Sequence, residues 1–138
     1  MNEFIVGVDG SETAHRAAVA AAELAANCGV TLHVVTGVTK RGGSTVTAGS
    51  DTWHVDPLSD AEQLLAALKS ELPAPNITTA VLMGDPATSL CDEAKRLDAG
   101  MIIVGNRRVQ GVSRILGSVA MDVARAAPCN VLIVHTTG

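Results

Sequence analysis

Apolar residues along this chain follow two alternating rhythms. Short apolar runs at Phe4–Val8, Val30–Val35, Ile77–Met83, Met101–Val104 and Val131–Val134 have the length of strands. Between them, apolar residues recur every three or four positions. The first such stripe is Ala14, Ala17, Ala18, Ala21, Leu24, Ala25 and Cys28. The others are Ala61, Leu64, Leu65, Leu68 and Leu72, then Ala87, Leu90, Cys91, Ala94 and Leu97, then Val119, Ala120 and Val123. That spacing places one face of a helix toward a core.

Boundary residues agree with this reading. Gly29 predicts a left-handed cap after the first helix. Ser59 and Glu62 form a capping box before the second, and Pro73 and Pro75 stop it. Asp85-Pro86 predicts a capped start with proline in the first turn, and Gly100 is expected to close that third helix. The last helix is expected from near Gly117 to Ala127, with Pro128 before the final strand. Residues 37–56 carry Gly42, Gly43, Ser44, Gly49 and Ser50 and predict a long loop, suited to a lid or a partner surface.

Strict alternation of strand and helix predicts a Rossmann-like α/β/α domain with a five-stranded parallel sheet, one domain over residues 1–138. Met101–Val104 is too apolar to have a wet face and belongs at the centre. Two strand orders are compatible with the pattern, 2-1-3-4-5 and 3-2-1-4-5. The chemistry favours 3-2-1-4-5, because strand one ends in Val8-Asp9-Gly10 and strand four in Val104-Gly105-Asn106. Ligands of such sheets bind beyond the carboxyl ends of the strands, where the order reverses.

Composition narrows the partners. The net charge is −4, which argues against nucleic acid, and no apolar run approaches the ~20 residues of a membrane span. The N-terminus lacks a basic segment followed by an apolar one, so a cytoplasmic location is expected. Cys28, Cys91 and Cys129 sit in apolar patterns and read as reduced packing thiols. His15, His33, His54 and His135 have no metal-ligand spacing.

Positive charge is local. Arg107, Arg108 and Arg114 lie between strand four and the last helix, with Gly105, Asn106 and Gly111 beside them. A buried strand leading through such a segment to a helix start at Gly117-Ser118-Val119 is suited to an anion, most often phosphate. Gly105 is expected to allow close approach of a ligand, and Asp9 to hold a ribose or hydrated magnesium. The simpler readings are Asp9 as a cap for the first helix and the arginines as a solvated rim.

These residues resemble the universal stress protein family over essentially the whole chain. The likeness rests on Ile5–Ala14, Leu32–Val35, Ile103–Asn106, Leu116–Ala120 and Ala127–Val134. The resemblance implies order 3-2-1-4-5 and a homodimer through the last strand, residues 131–135. It implies an adenine nucleotide, ATP or cyclic AMP, at the crevice between strands one and four. The resemblance places Asp9 and Val34 at the adenosine end and Gly105, Gly117, Ser118 and Val119 at the phosphates; with the flanking Gly7, Val8, Val104, Asn106, Arg107, Arg108 and Gly111 read from the chain itself, these are the expected binding residues. The family signature G-x2-G-x9-G-[ST] is altered here: Arg108 stands at the second glycine, and Gly117 comes one residue early.

The expected function is therefore that of a small stress-response or signalling protein binding an adenine nucleotide. The alternative is an interaction module of the same fold, meeting its partner through residues 37–56. Enzymatic turnover beyond a slow ATPase is not expected, since no Gly-Lys-Ser/Thr phosphate loop occurs and no base besides Asp9 lies near the crevice.

Overall fold

A computed structural model describes residues 3–38, 44–48, 51–55, 57–108 and 116–137. Its elements are β1 (Glu3–Val8), α1 (Glu12–Cys28), β2 (Thr31–Val38), β3 (Ser44–Ala48), β4 (Asp51–Val55) and α2 (Pro57–Glu71). They continue with β5 (Ile77–Met83), α3 (Pro86–Leu97), β6 (Met101–Arg108), α4 (Ser118–Ala126) and β7 (Asn130–Thr137).

Five strands form one parallel sheet in the order β5-β2-β1-β6-β7. Counted among these five strands alone, that is 3-2-1-4-5, as the chemistry of the strand ends indicated. Alternate residues face opposite layers. Phe4, Val6, Val34 and Ile103 belong to the core shared with Ala18 and Ala21 of α1 and Leu65 and Leu68 of α2. Ile5, Val35, Ile102 and Val104 pack instead with Leu90 and Ala94 of α3 and Val123 of α4. Burying each Val, Ile or Leu contributes roughly 1.5–3 kcal/mol, so sheet and helices are held by aliphatic packing with almost no aromatic help.

Several boundaries differ from the sequence reading. Within the expected loop, Ser44–Ala48 and Asp51–Val55 are strands: β3 and β4 pair antiparallel, Ala48 opposite Asp51 and Ser44 opposite Val55. The Thr/Val and Thr/Trp content of the two segments suits strands, and the residues left between them are Gly49 and Ser50. The helix α2 begins at Pro57, two residues before Ser59, because proline fits a first helical turn. Asp98, not Gly100, closes α3 in the left-handed conformation at φ 51°, its N–H bonded to Ala94 and Lys95 carbonyls. Cys28 is exposed at the end of α1, whereas Cys91 is buried, and all three thiols are free.

The largest difference concerns β6. It does not turn away at Gly105 but runs on to Arg108, paired with β7 as far as Thr137. The β1–β6 ladder ends earlier, at Val6 and Ile103. The two strands therefore diverge at their carboxyl ends, and the crevice opens there.

The opposite end of the sheet is tied by polar groups. His33 Nε2 lies 3.1 Å from Glu3 Oε1, and its Nδ1 pairs with the Thr78 hydroxyl. Nearby, Arg96 grips the buried Glu93 through Nε and Nη2 at 2.5 and 3.0 Å. The hydrogen bonds from Arg96 hold the Glu93 carboxyl below its ordinary pKa.

Candidate functional site

At the carboxyl ends of the central strands lies a cavity of about 190 Å³. Its floor comes from Gly7 and Val8 of β1, Val35 and Gly37 of β2, Leu82 of β5, and Val104 and Gly105 of β6. Its walls come from Asp9, Ser11, Thr13 and Ala14 at the start of α1, Pro86, Ser89 and Leu90 of α3, and Val119 and Ala120 of α4. The lining is mainly apolar, with a few polar groups at the rim, as is usual for small-molecule sites.

Asp9 stands between this cavity and a second one of about 350 Å³ lined by Thr36, Val38, Pro57, Asp60, Ala61 and Leu64. Asp9 does not cap α1 itself. Ser11 does, its Oγ accepting the Ala14 N–H at 3.1 Å. Asp9 Oδ1 accepts the Ser11 N–H at 2.9 Å, and Gly10 makes the turn between them at φ 87°. The carboxylate is thereby fixed at the rim of the cavity and remains exposed.

Gly105 has a different reason from the one its sequence position suggests. A Cβ there would stand 3.0 Å from the Thr13 carbonyl oxygen and 3.1 Å from Ala17 Cβ. The glycine lets α1 lie close on β6, and the space is taken by the helix. Gly7 similarly accommodates α3, since its Cβ would meet Leu90 Cδ1 at 3.0 Å.

The start of α4 is built differently from those of α1 and α3. Gly117 occupies the N-cap at φ −62° and ψ 160°, a conformation open to any residue. A Cβ there would meet only Asn106 Oδ1, at an ordinary 3.6 Å. Neither strain nor crowding requires glycine, yet the helix has no side-chain cap. The Gly117 N–H is satisfied across the chain by Asn106 Oδ1 at 2.8 Å, and Asn106 is itself buried. The amides of Ser118 and Val119 follow in the first turn, where no intrahelical acceptor exists. Val119 is 37% exposed and lines the cavity, so its side chain does not join the core as its spacing implied.

Of the residues singled out from sequence, Gly7, Val8, Asp9, Val104, Gly105 and Val119 line one cavity. Asn106, Gly117 and Ser118 adjoin it through the hydrogen bond just described and the first turn of α4. Val34 does not: it points into the α1/α2 core, and its neighbour Val35 reaches the cavity. A one-residue slip along a strand exchanges faces. Arg107 and Arg108 lie in β6 opposite Thr136 and Thr137. Gly111 and Arg114 fall outside the described residues. Sequence reasoning missed Gly37, Leu82, Ser89 and Leu90. Only Gly37, a break in an apolar strand, carried a visible signal.

A doubly wound sheet with a cavity at its reversal point and an uncapped helix beside it defines a small-ligand α/β domain. Comparison with known proteins makes the assignment specific: the universal stress protein family profile matches residues 1–135, and the chain belongs to that family. The Mycobacterium tuberculosis universal stress protein Rv3134c is 32% identical over 132 residues, covering 95% of this chain and 47% of that protein. The chain spans about half the length of the curated relatives it matches. A universal stress protein crystallised in complex with cAMP superposes with TM-score 0.74 at 27% identity, covering 98% of this chain and 97% of the other. The Archaeoglobus fulgidus universal stress protein in complex with dAMP gives TM-score 0.69 at 25% identity, covering 96% and 97%.

Proposed function

We propose that this protein binds an adenine nucleotide in the cavity between β1 and β6 and acts as a stress-response or signalling protein of the cytoplasm. The observation that carries the reading is the bare start of α4. An N-cap that any residue could fill is glycine, and it gives the amides beyond it no side-chain acceptor. Helix N-termini of this kind attract phosphate through their N–H groups and the helix dipole. Relatives of the same fold hold cAMP and dAMP, which supports an adenine nucleotide here.

The roles then follow from position. The apolar floor around Val35, Leu82 and Leu90 receives the base. Asp9, held by the Ser11 N–H through one oxygen, offers the other to a ribose hydroxyl or a magnesium-bound water. Ser118 and Val119 amides receive phosphate. Three or four hydrogen bonds to charged groups at roughly 1.5–3 kcal/mol each support binding near micromolar, about −8 kcal/mol, once ordering costs are met.

The working unit in this reading is a homodimer through β7. That strand is one edge of the sheet, and Val131, Leu132, Ile133 and Val134 are only half-buried along it. Such an edge invites strand pairing with a second copy. Light scattering at micromolar concentration should give twice the monomer mass.

Mass spectrometry of the small molecule released on denaturation, with calorimetric titration by AMP, cAMP and ATP-Mg, tests the nucleotide. Heat of binding from at least one is expected. No released nucleotide and no heat from any of the three would reject the reading in favour of an interaction module.

A further inference from the structure

We propose that Glu3, His33 and Thr78 form a second, nucleophilic site that takes the acyl group of small activated carboxylic esters, with Thr78 as nucleophile and His33 as its base. The site lies at the amino ends of β1, β2 and β5, away from the cavity at their carboxyl ends, and it stands independently of the nucleotide reading.

Three parallel strands bring the three side chains together. His33 of β2 is paired with Ile5 of β1 on one side and with Thr78 of β5 on the other, and Glu3 lies opposite Thr31, two residues earlier. His33 Nε2 is 3.1 Å from Glu3 Oε1, and its Nδ1 meets the Thr78 hydroxyl. The chemistry of the partners fixes the direction of both hydrogen bonds. An ionised carboxylate only accepts, so Nε2 carries the proton of the neutral ring and donates it to Glu3. Nδ1 keeps its lone pair, and Thr78 donates its O–H there. The hydroxyl proton thus points at a base, on a residue exposed to solvent, while the His33 side chain is only 13% exposed. A nucleophile bonded to a base that a third group orients is the arrangement covalent catalysis requires. Glu93 of α3, the other carboxylate on this side, is engaged by Arg96.

Two further features suit an acyl group. Leu32 N–H donates to the Asn76 carbonyl at 2.9 Å, with Leu32 opposite Ile77, so Thr78 turns its backbone toward β2 and Thr79 turns its N–H outward. Because β5 ends the sheet, this amide, next after the nucleophile, faces the open edge and can donate to a developing oxyanion. Beside Thr78 an open hollow of about 410 Å³ is lined by Ala74, Pro75 and Ile77, which suit a short acyl chain, and by Lys69 and Asn76.

In the step so assigned, Thr78 Oγ bonds to the ester carbonyl carbon and the bond from that carbon to the leaving oxygen breaks. The hydroxyl proton passes to His33 Nδ1 and on to the leaving oxygen, while Glu3 acts as a positioning residue that holds the imidazolium. Water then cleaves the acyl-threonine, releasing the carboxylic acid and restoring the hydroxyl.

The test offers p-nitrophenyl acetate to the full chain, follows nitrophenolate by absorbance, and locates acetyl by peptide mass spectrometry after an acid quench. Acetyl on Thr78 and release above the buffer rate are expected. His33→Gln should slow release at least about 100-fold, the usual weight of a general base. Thr78→Val should lose both the adduct and the accelerated release, and Thr78→Ser should keep both. Glu3→Gln should lower kcat at least about tenfold and leave KM unchanged, a split that a merely structural contact would not give. If Thr78→Val does not fold, the position of acetyl in the unaltered protein and in Thr78→Ser still decides. Acetyl found only on lysines or on Cys28, or release unchanged in folded Thr78→Val, overturns the proposal.

Discussion

The starts of α3 and α4 stand on the same side of the sheet and border the same cavity, yet they are finished in opposite ways. The α3 start is sealed. Asp85 Oδ2 accepts from the Thr88 amide and hydroxyl, both at 3.0 Å, and Pro86 supplies no amide in the first turn. The α4 start has Gly117 where α3 has aspartate and Ser118 where α3 has proline. A helix sealed by its own carboxylate repels an anion, and a helix left bare attracts one. The difference teaches where to look for the ligand: on the function proposed above, one helix start serves fold stability and the other recognition.

Exchanging the two finishes should exchange their properties. Gly117→Asp gives α4 its own carboxylate cap, for which the backbone is already suitable. Nucleotide binding should fall by at least about 100-fold, while folding stability changes by only a few tenths of a kcal/mol. Calorimetry and thermal melting read the two effects separately. Ser118→Pro removes one donor at a helical position that tolerates proline, and should weaken binding about tenfold with little change in melting temperature.

Changes at the helix starts sealed by their own side chains should show chiefly in stability. Ser11→Ala deletes the α1 cap and should cost about 1 kcal/mol in urea unfolding. The smallest effect is expected at Asp85. Hydrogen bonds from Thr88 hold its carboxyl below the ordinary value. A depressed folded-state pKa stabilises above the unfolded value, near 3.9 for aspartate, and that stabilisation is lost as pH falls through the lower folded value. Asp85→Asn should therefore unfold more easily than the unaltered protein at pH 7, and the gap should close on acidification. A gap that widens toward low pH would contradict the assigned cause.

The sequence made the architecture legible because periodicity reports which face of an element is buried. Leu32, Ile102 and Val123 fall in the core where their patterns place them. Strand order was legible through chemistry, since Asp9 and Gly105 needed a shared crevice. What the pattern could not carry was three-dimensional reach. The length of β6 depends on β7 lying beside it, so residues with loop-like polarity, Asn106 to Arg108, continue a strand. Val34 and Val35 differ by one position and by the whole thickness of the sheet. Gly105 signalled a close approach, but only packing reveals that α1 makes it. The Asn106–Gly117 hydrogen bond joins residues eleven apart and leaves no local signature.

Amide NMR during titration with AMP addresses the central claim most directly. Saturable shifts at the Ser118 and Val119 amides, with the Thr88 amide of α3 unmoved, are the predicted result. Saturation by AMP without any response at Ser118 and Val119, or with the larger response at Thr88, would show that the bare helix start is not where the phosphate goes.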